Sequence, residues 1–188
     1  RFIRPVRVLS LCGDRRIYGN RATANGGGVD LGNSAIVTMT GGAVYGNSTS
    51  ALSSLYGGGG LRVEGAAPRL LLTGTQVYSN ATASSGGGLS VIVGAVTLVN
   101  SAVTTNTATG GSNHGGGGIR INSGALTLTA TALAGNAVTN SGALGGGGLY
   151  VANWTVLVSA GDVTSNTAPM GGGGYPAAGT PAAHGISV

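Results

Sequence analysis

A hydrophobic residue, two further residues and an asparagine recur six times in one register: Ile17 to Asn20, Val44 to Asn47, Val77 to Asn80, Val103 to Asn106, Leu133 to Asn136 and Val163 to Asn166. The asparagines are spaced by 27, 33, 26, 30 and 30 residues. Such a period restricts the chain to architectures in which one small unit stacks on the next, because a single unit cannot bury its own apolar face.

Two more markers share the period. A glycine tract followed by alternating apolar residues gives Gly28 with Val29 and Leu31, Gly60 with Leu61 and Val63, Gly88 with Leu89 and Val91, Gly118 with Ile119 and Ile121, Gly148 with Leu149 and Val151, and Gly174 before Tyr175. A second alternating segment ends eight residues before each asparagine, with the pairs Val37/Met39, Leu70/Leu72, Val96/Leu98, Leu126/Leu128 and Val156/Val158, and with Ser10/Cys12 in the same place in the first repeat. Alternation at period 2 marks strands, and no segment has helical periodicity. The pattern predicts an all-β chain, a single right-handed parallel β-helix of about six coils of about 30 residues, with three short strands per coil. It forms one domain over 1–188, with an Arg-rich segment 1–7, repeats over 8–175 and a tail at 176–188.

Stacking sets the expected role of each column. The glycine tracts belong at corners, where positive φ and close backbone approach are needed. Asp30, Arg62, Ser90, Arg120 and Tyr150, between the inward residues of the glycine-tract strands, are expected on the solvent side. Asn20, Asn47, Asn80, Asn106, Asn136 and Asn166 are expected as a structural ladder, in the left-handed conformation at a corner and passing amide hydrogen bonds from coil to coil. Tyr18, Tyr45 and Tyr78 follow the inward aliphatic in three successive coils and predict an outward stack, with a contact surface for carbohydrate or another subunit as the functional alternative.

Charge is scarce, at 7% of residues, and local. All nine basic residues are arginine, and six of them (Arg1, Arg4, Arg7, Arg15, Arg16, Arg21) lie in the first 21 positions. Such a cluster suits an anionic partner, but it lacks the interleaved aromatics and motifs of nucleic-acid binding, so no nucleic acid is expected. No apolar run reaches the roughly 18 residues of a transmembrane helix. Starting at Arg1 without a Met or a recognisable signal peptide, the chain reads as a processed product or a piece of something longer. Cys12 stands alone, which excludes an internal disulfide, and alternation places it inward.

The pairing of a Gly-Gly-containing tract with a hydrophobic-x-x-Asn strand, over about Ile17 to Tyr175, resembles the repeats of the chlamydial polymorphic outer-membrane proteins and, more broadly, the pectin-lyase-like β-helix proteins of bacterial surfaces. Those repeats typically carry Phe where Ile, Val or Leu stands here, and Gly-Gly-Ala before the aliphatic residue. The resemblance implies the β-helix fold and exposure at a surface.

Polysaccharide lyases and hydrolases on such folds need clustered carboxylates, whereas Asp14, Asp30, Glu64 and Asp162 fall at different places in the repeat. No enzyme activity and no cofactor are expected. Asn25-Gly26-Gly27-Gly28-Val29-Asp30 nearly matches a calcium β-roll unit, but that motif recurs about every nine residues and this one occurs once. His114 and His184 have no second ligand at metal spacing and read as loop residues. Asn47-Ser48-Thr49, Asn80-Ala81-Thr82 and Asn153-Trp154-Thr155 match the glycosylation acceptor pattern, which arises readily in a chain rich in Asn, Ser and Thr. The series Leu11, Thr38, Leu71, Thr97, Thr127 and Leu157 resembles the threonine arrays of ice-binding solenoids, with leucine interrupting it in three coils.

These features predict an extracellular or cell-surface structural protein, a self-assembling fibre or surface-layer subunit whose main partner is itself. The chain enters on one strand of the repeat and leaves on the strand that precedes it, so the ends match in phase and suit head-to-tail stacking. Arg1, Arg4, Arg7, Tyr175, Ile186 and Val188 are the expected junction residues. The alternative is an adhesin or autotransporter-like passenger that binds a glycan or host surface through the tyrosines.

Overall fold

The computed structural model describes residues 7–50, 52, 57–110, 115–143, 145–152 and 156–176. Over these the chain is a parallel β-solenoid whose strands form four sheets, each running along the stack. The first sheet holds Arg7–Cys12, Ala35–Thr40, Arg69–Thr73, Ala95–Val99, Ala125–Thr129 and Val156–Ser159, and the second holds Arg16–Tyr18, Ala43–Tyr45, Gln76–Tyr78, Ala102–Thr104, Ala132–Ala134 and Val163–Thr164. The third consists of Arg21–Ala22, Ser48–Thr49, Ala81–Thr82, Thr107–Ala108 and Ala137–Val138; the fourth of Val29–Leu31, Leu61–Val63, Leu89–Val91, Ile119–Ile121, Leu149–Val151 and Gly174–Pro176. Five turns are complete, and in the sixth the third strand is reduced to a bridge between Ala137 and Thr167.

Each turn therefore has four strands, not the expected three. The extra strand is two residues long and follows the repeated asparagine directly. Two residues are too few to show alternation, which is why the hydrophobic pattern does not reveal it.

Like residues stack on like in the interior. The first sheet contributes Val37, Leu70, Val96, Leu126 and Val156 in one column and Met39, Leu72, Leu98, Leu128 and Val158 in the next. The second contributes Val44, Val77, Val103 and Leu133, and the fourth contributes Leu61, Leu89, Ile119 and Leu149 beside Val63, Val91, Ile121 and Val151. All of these are buried in one continuous cluster, and each fully buried aliphatic stabilises the fold by about 1.5–3 kcal/mol.

The first turn departs from the spacing rule. Leu9 pairs with Val37 and Leu11 with Met39, so these two are the inward residues; Cys12 pairs with Thr40 and is exposed, and Ser10, not Leu11, shares the column of Thr38. The connection Gly13, Asp14, Arg15 is one residue longer than its counterpart Gly41, Gly42. Counting eight back from Asn20 therefore lands one residue late.

The outer face of the fourth sheet also differs from the expected solvent-facing side. Asp30 is exposed, but Arg62, Ser90, Arg120 and Tyr150 are buried. The glycine tracts are not simple corners: they double back over this face. A β-carbon on Gly86 would stand 2.9 Å from Ser90 Cα, one on Gly116 would stand 2.8 Å from the Arg120 nitrogen, and one on Gly145 would stand 2.6 Å from the Tyr150 ring. The tracts also bond to one another across turns, with the Gly58 N–H donating to Ser85 O at 3.1 Å, Gly86 to Gly115 at 3.2 Å and Gly116 to Gly146 at 2.8 Å. Gly58, Gly86 and Gly116 all have positive φ, near 70°, so only glycine meets both demands without strain.

Candidate functional site

The six repeated asparagines form one column beside the third sheet. In all but the last, the backbone N–H and the side-chain Nδ2 donate to Oδ1 of the asparagine in the next turn: Asn47 to Asn80, Asn80 to Asn106 and Asn106 to Asn136 all do so at 3.0 Å. Nδ2 also donates backwards, to a carbonyl of the preceding turn, as from Asn80 to Val44 O at 2.9 Å and from Asn106 to Val77 O at 2.9 Å. Every interior side chain thus uses both amide hydrogens and both carbonyl lone pairs, which is what burial of an amide demands.

The left-handed residue at this corner is not the asparagine but the one before it: Gly19, Gly46, Ser79, Thr105, Gly135 and Ser165 have φ between 52° and 67°. That residue makes the turn, and the asparagine, back in an ordinary conformation, turns its amide inward. Buried Asn47 and Asn80, with their amide nitrogens committed to the ladder, are not available as glycan acceptors in the folded chain.

The ladder rests on the glycine tract. A β-carbon on Gly28, Gly60, Gly88, Gly118 or Gly148 would fall 2.9–3.0 Å from the amide of Asn47, Asn80, Asn106, Asn136 or Asn166. A second polar column, absent from the sequence-based expectation, lies at the corner between the first two sheets. Thr75, Ser101 and Thr131 are buried, and their hydroxyls donate to carbonyls of the same and the preceding turn, for example Thr75 to Gly41 O at 3.1 Å and Ser101 to Val99 O at 2.9 Å. The signal that marks it is a Thr or Ser five residues before the ladder asparagine in three consecutive repeats.

Tyr18, Tyr45 and Tyr78 stack on the outward face of the second sheet. Ring centroids are 5.1 Å apart for the first pair and 4.8 Å for the second, with interplanar angles of 5° and 1°. Tyr18, at the end of the row, is 59% exposed. The faces between the rings are occupied by the rings themselves, so the row presents edges and hydroxyls to solvent, and one open face at Tyr18.

Two of the four carboxylates meet at one arginine. Arg62, buried, takes Asp30 at 3.0 Å and also pairs with Glu64, while Asp14 and Asp162 lie in the first and last turns. Asn25 Nδ2 donates to Asp30 Oδ2 at 2.8 Å. Arg120, 5% exposed, lies 5.8 Å from the Tyr150 ring centroid. Burial pushes its pKa below the ordinary arginine value, with Tyr150 pulling the other way. Among the described residues no three His, Cys, Asp or Glu side chains group as a metal site, and no helix is long and apolar enough to cross a membrane.

Of the expected junction residues, Arg7 opens the first strand and is exposed, and Tyr175 lies in the last strand of the fourth sheet. Arg1, Arg4, Ile186, Val188, His114, His184 and the Asn153-Trp154-Thr155 pattern lie outside the described residues. No protein-family model, no curated protein and no solved structure matches the chain.

Proposed function

We propose that this chain is an extracellular structural protein, a fibre or surface-layer subunit that assembles by stacking head to tail and has no catalytic role. The observation that carries the proposal is the polarity of the asparagine ladder. At the first turn, Asn20 donates forward to Asn47, and among the described residues nothing donates to its Oδ1. At the last turn, Asn166 Oδ1 accepts from Asn136, while its backbone N–H and one amide hydrogen have no acceptor among the described residues. One end thus offers an acceptor and the other offers donors, at equivalent places in the repeat. At the first turn Leu9, in the inward column, is 46% exposed. A further turn of the same kind fits both ends, and in this proposal it comes from another copy, a heterologous contact that does not close. The resemblance of the repeats to those of bacterial surface β-helices fits a location outside the cell.

The test is the state of association of the purified chain. Sedimentation across concentrations and electron microscopy should show rods whose axial subunit repeat is about 30 Å, six turns at roughly 4.8 Å each. A monomer at every concentration would overturn the proposal.

The tyrosine row favours a second reading, an adhesin or passenger that engages a glycan or host surface through Tyr18, Tyr45 and Tyr78. In that case the chain stays monomeric, and Tyr18→Ala lowers glycan binding on an array.

A further inference from the structure

One column of the second sheet points outward next to the corner with the first sheet. It runs from Arg16 through Ala43, Gln76, Ala102 and Ala132 by strand register, and Asp162, immediately before Val163, takes the sixth place. The only charges in the column are therefore opposite in sign and at opposite ends, and both residues are exposed. The surroundings share this bias. The first turn, 7–31, carries Arg7, Arg15, Arg16 and Arg21 against Asp14 and Asp30, whereas Asp162 is the only charged residue in 156–176.

We propose that Arg16 of one copy pairs with Asp162 of the next across the head-to-tail junction, and that this pair sets the rotational register in which copies add. The inference rests on the assembly reading above. Arg16 stands four residues before Asn20, and Asp162 stands four residues before Asn166. Any rotation that brings the Asn166 donors onto the Asn20 acceptor therefore also brings Asp162 over Arg16, at the spacing of neighbouring strands in a sheet. Other rotations, and head-to-head contacts, place Arg16 against neutral residues or against the arginines of another first turn. Like charges brought together at an interface reject wrong alignments, and opposite charges on a rim speed correct encounter more than they deepen the bound state. Asp14 also flanks Arg16 in the same shallow groove, but Arg15 next to it keeps this edge net positive.

The experiment compares wild type, Arg16→Asp, Asp162→Arg, and an equimolar mixture of the two variants, by sedimentation and electron microscopy at low salt. Both positions are exposed, so each variant should melt with the wild type. Each variant alone should raise the concentration needed for assembly on the order of tenfold or more. In the mixture the carboxylate introduced by Arg16→Asp meets the guanidinium introduced by Asp162→Arg at one junction. At the next junction the native Arg16 of one variant meets the native Asp162 of the other, so assembly should return. Wild-type rods with variants that assemble equally well, or with a mixture that fails to recover, would overturn the pairing and leave the assembly reading standing. A wild type that never assembles would overturn both.

Discussion

Gly118 lies directly under the amide of Asn136: a β-carbon there would stand 2.9 Å from both Cγ and Nδ2. Two markers that are separate in the sequence are thus one contact in the fold. Gly118→Ala is expected to lower stability by about 1–3 kcal/mol, the usual effect of overpacking. Gly32→Ala, where nothing lies within 4 Å and φ is not positive, should change it by less than about 0.5 kcal/mol. Urea titration of the two variants checks the difference.

Asn106→Leu removes an amide that accepts from Asn80 and donates to Val77 and Asn136. It leaves two Asn80 donors, the backbone N–H and one amide hydrogen, buried without their acceptor. At about 1–3 kcal/mol for each orphaned group, the variant should unfold at far lower denaturant than Thr104→Leu, an outward position on the neighbouring strand. Equal midpoints would mean that the ladder contributes little.

Tyr45 makes two ring stacks and Tyr18 one. With about 0.5–1.5 kcal/mol per aromatic pair beyond burial, Tyr45→Ala should cost roughly twice as much in stacking as Tyr18→Ala. Thermal melts of both single variants and the double variant test this, because the double should cost less than the sum.

Arg120 and Ile119 are neighbours on opposite faces of the fourth sheet, and both are buried. Alternation alone predicts that Arg120→Asp is harmless, since it treats the outward face as wet. Given its burial, Arg120→Asp should destabilise by several kcal/mol, as Ile119→Asp also should, whereas Arg120→Met should fall within about 1 kcal/mol of wild type. Soluble yield and melting temperature separate the three.

The solenoid and its inner columns are legible in the sequence because period-2 alternation inside a period near 30 residues has few other solutions. Legibility fails where the pattern carries no periodic signal. The two-residue strand after each asparagine is too short to alternate, and the extra residue between Cys12 and Arg16 moves Cys12 outward without changing composition. The burial of Ser90 and Arg120 depends on a glycine layer folded over them, and alternation tells inside from outside only when one face meets water. In the ladder, recurrence identifies the residues; that Oδ1 takes both donors from the turn before, and that the left-handed residue precedes the asparagine, are matters of geometry.

In a parallel sheet, peptide carbonyls point alternately up and down the stack and largely cancel. The asparagine side chains do not alternate, because every interior Oδ1 accepts from the turn before it. The column therefore behaves as an aligned row of amide dipoles, negative toward Asn20 and positive toward Asn166, as the peptide groups of an α-helix do along its axis. Arginines gather at the negative end and Asp162 sits at the positive end, so fixed charge compensates each pole. In a stack of subunits all facing one way, the row would lengthen with every addition. A long rod would then carry a permanent electric moment proportional to its length, and suspended rods should align in an applied field, with polarity as well as direction.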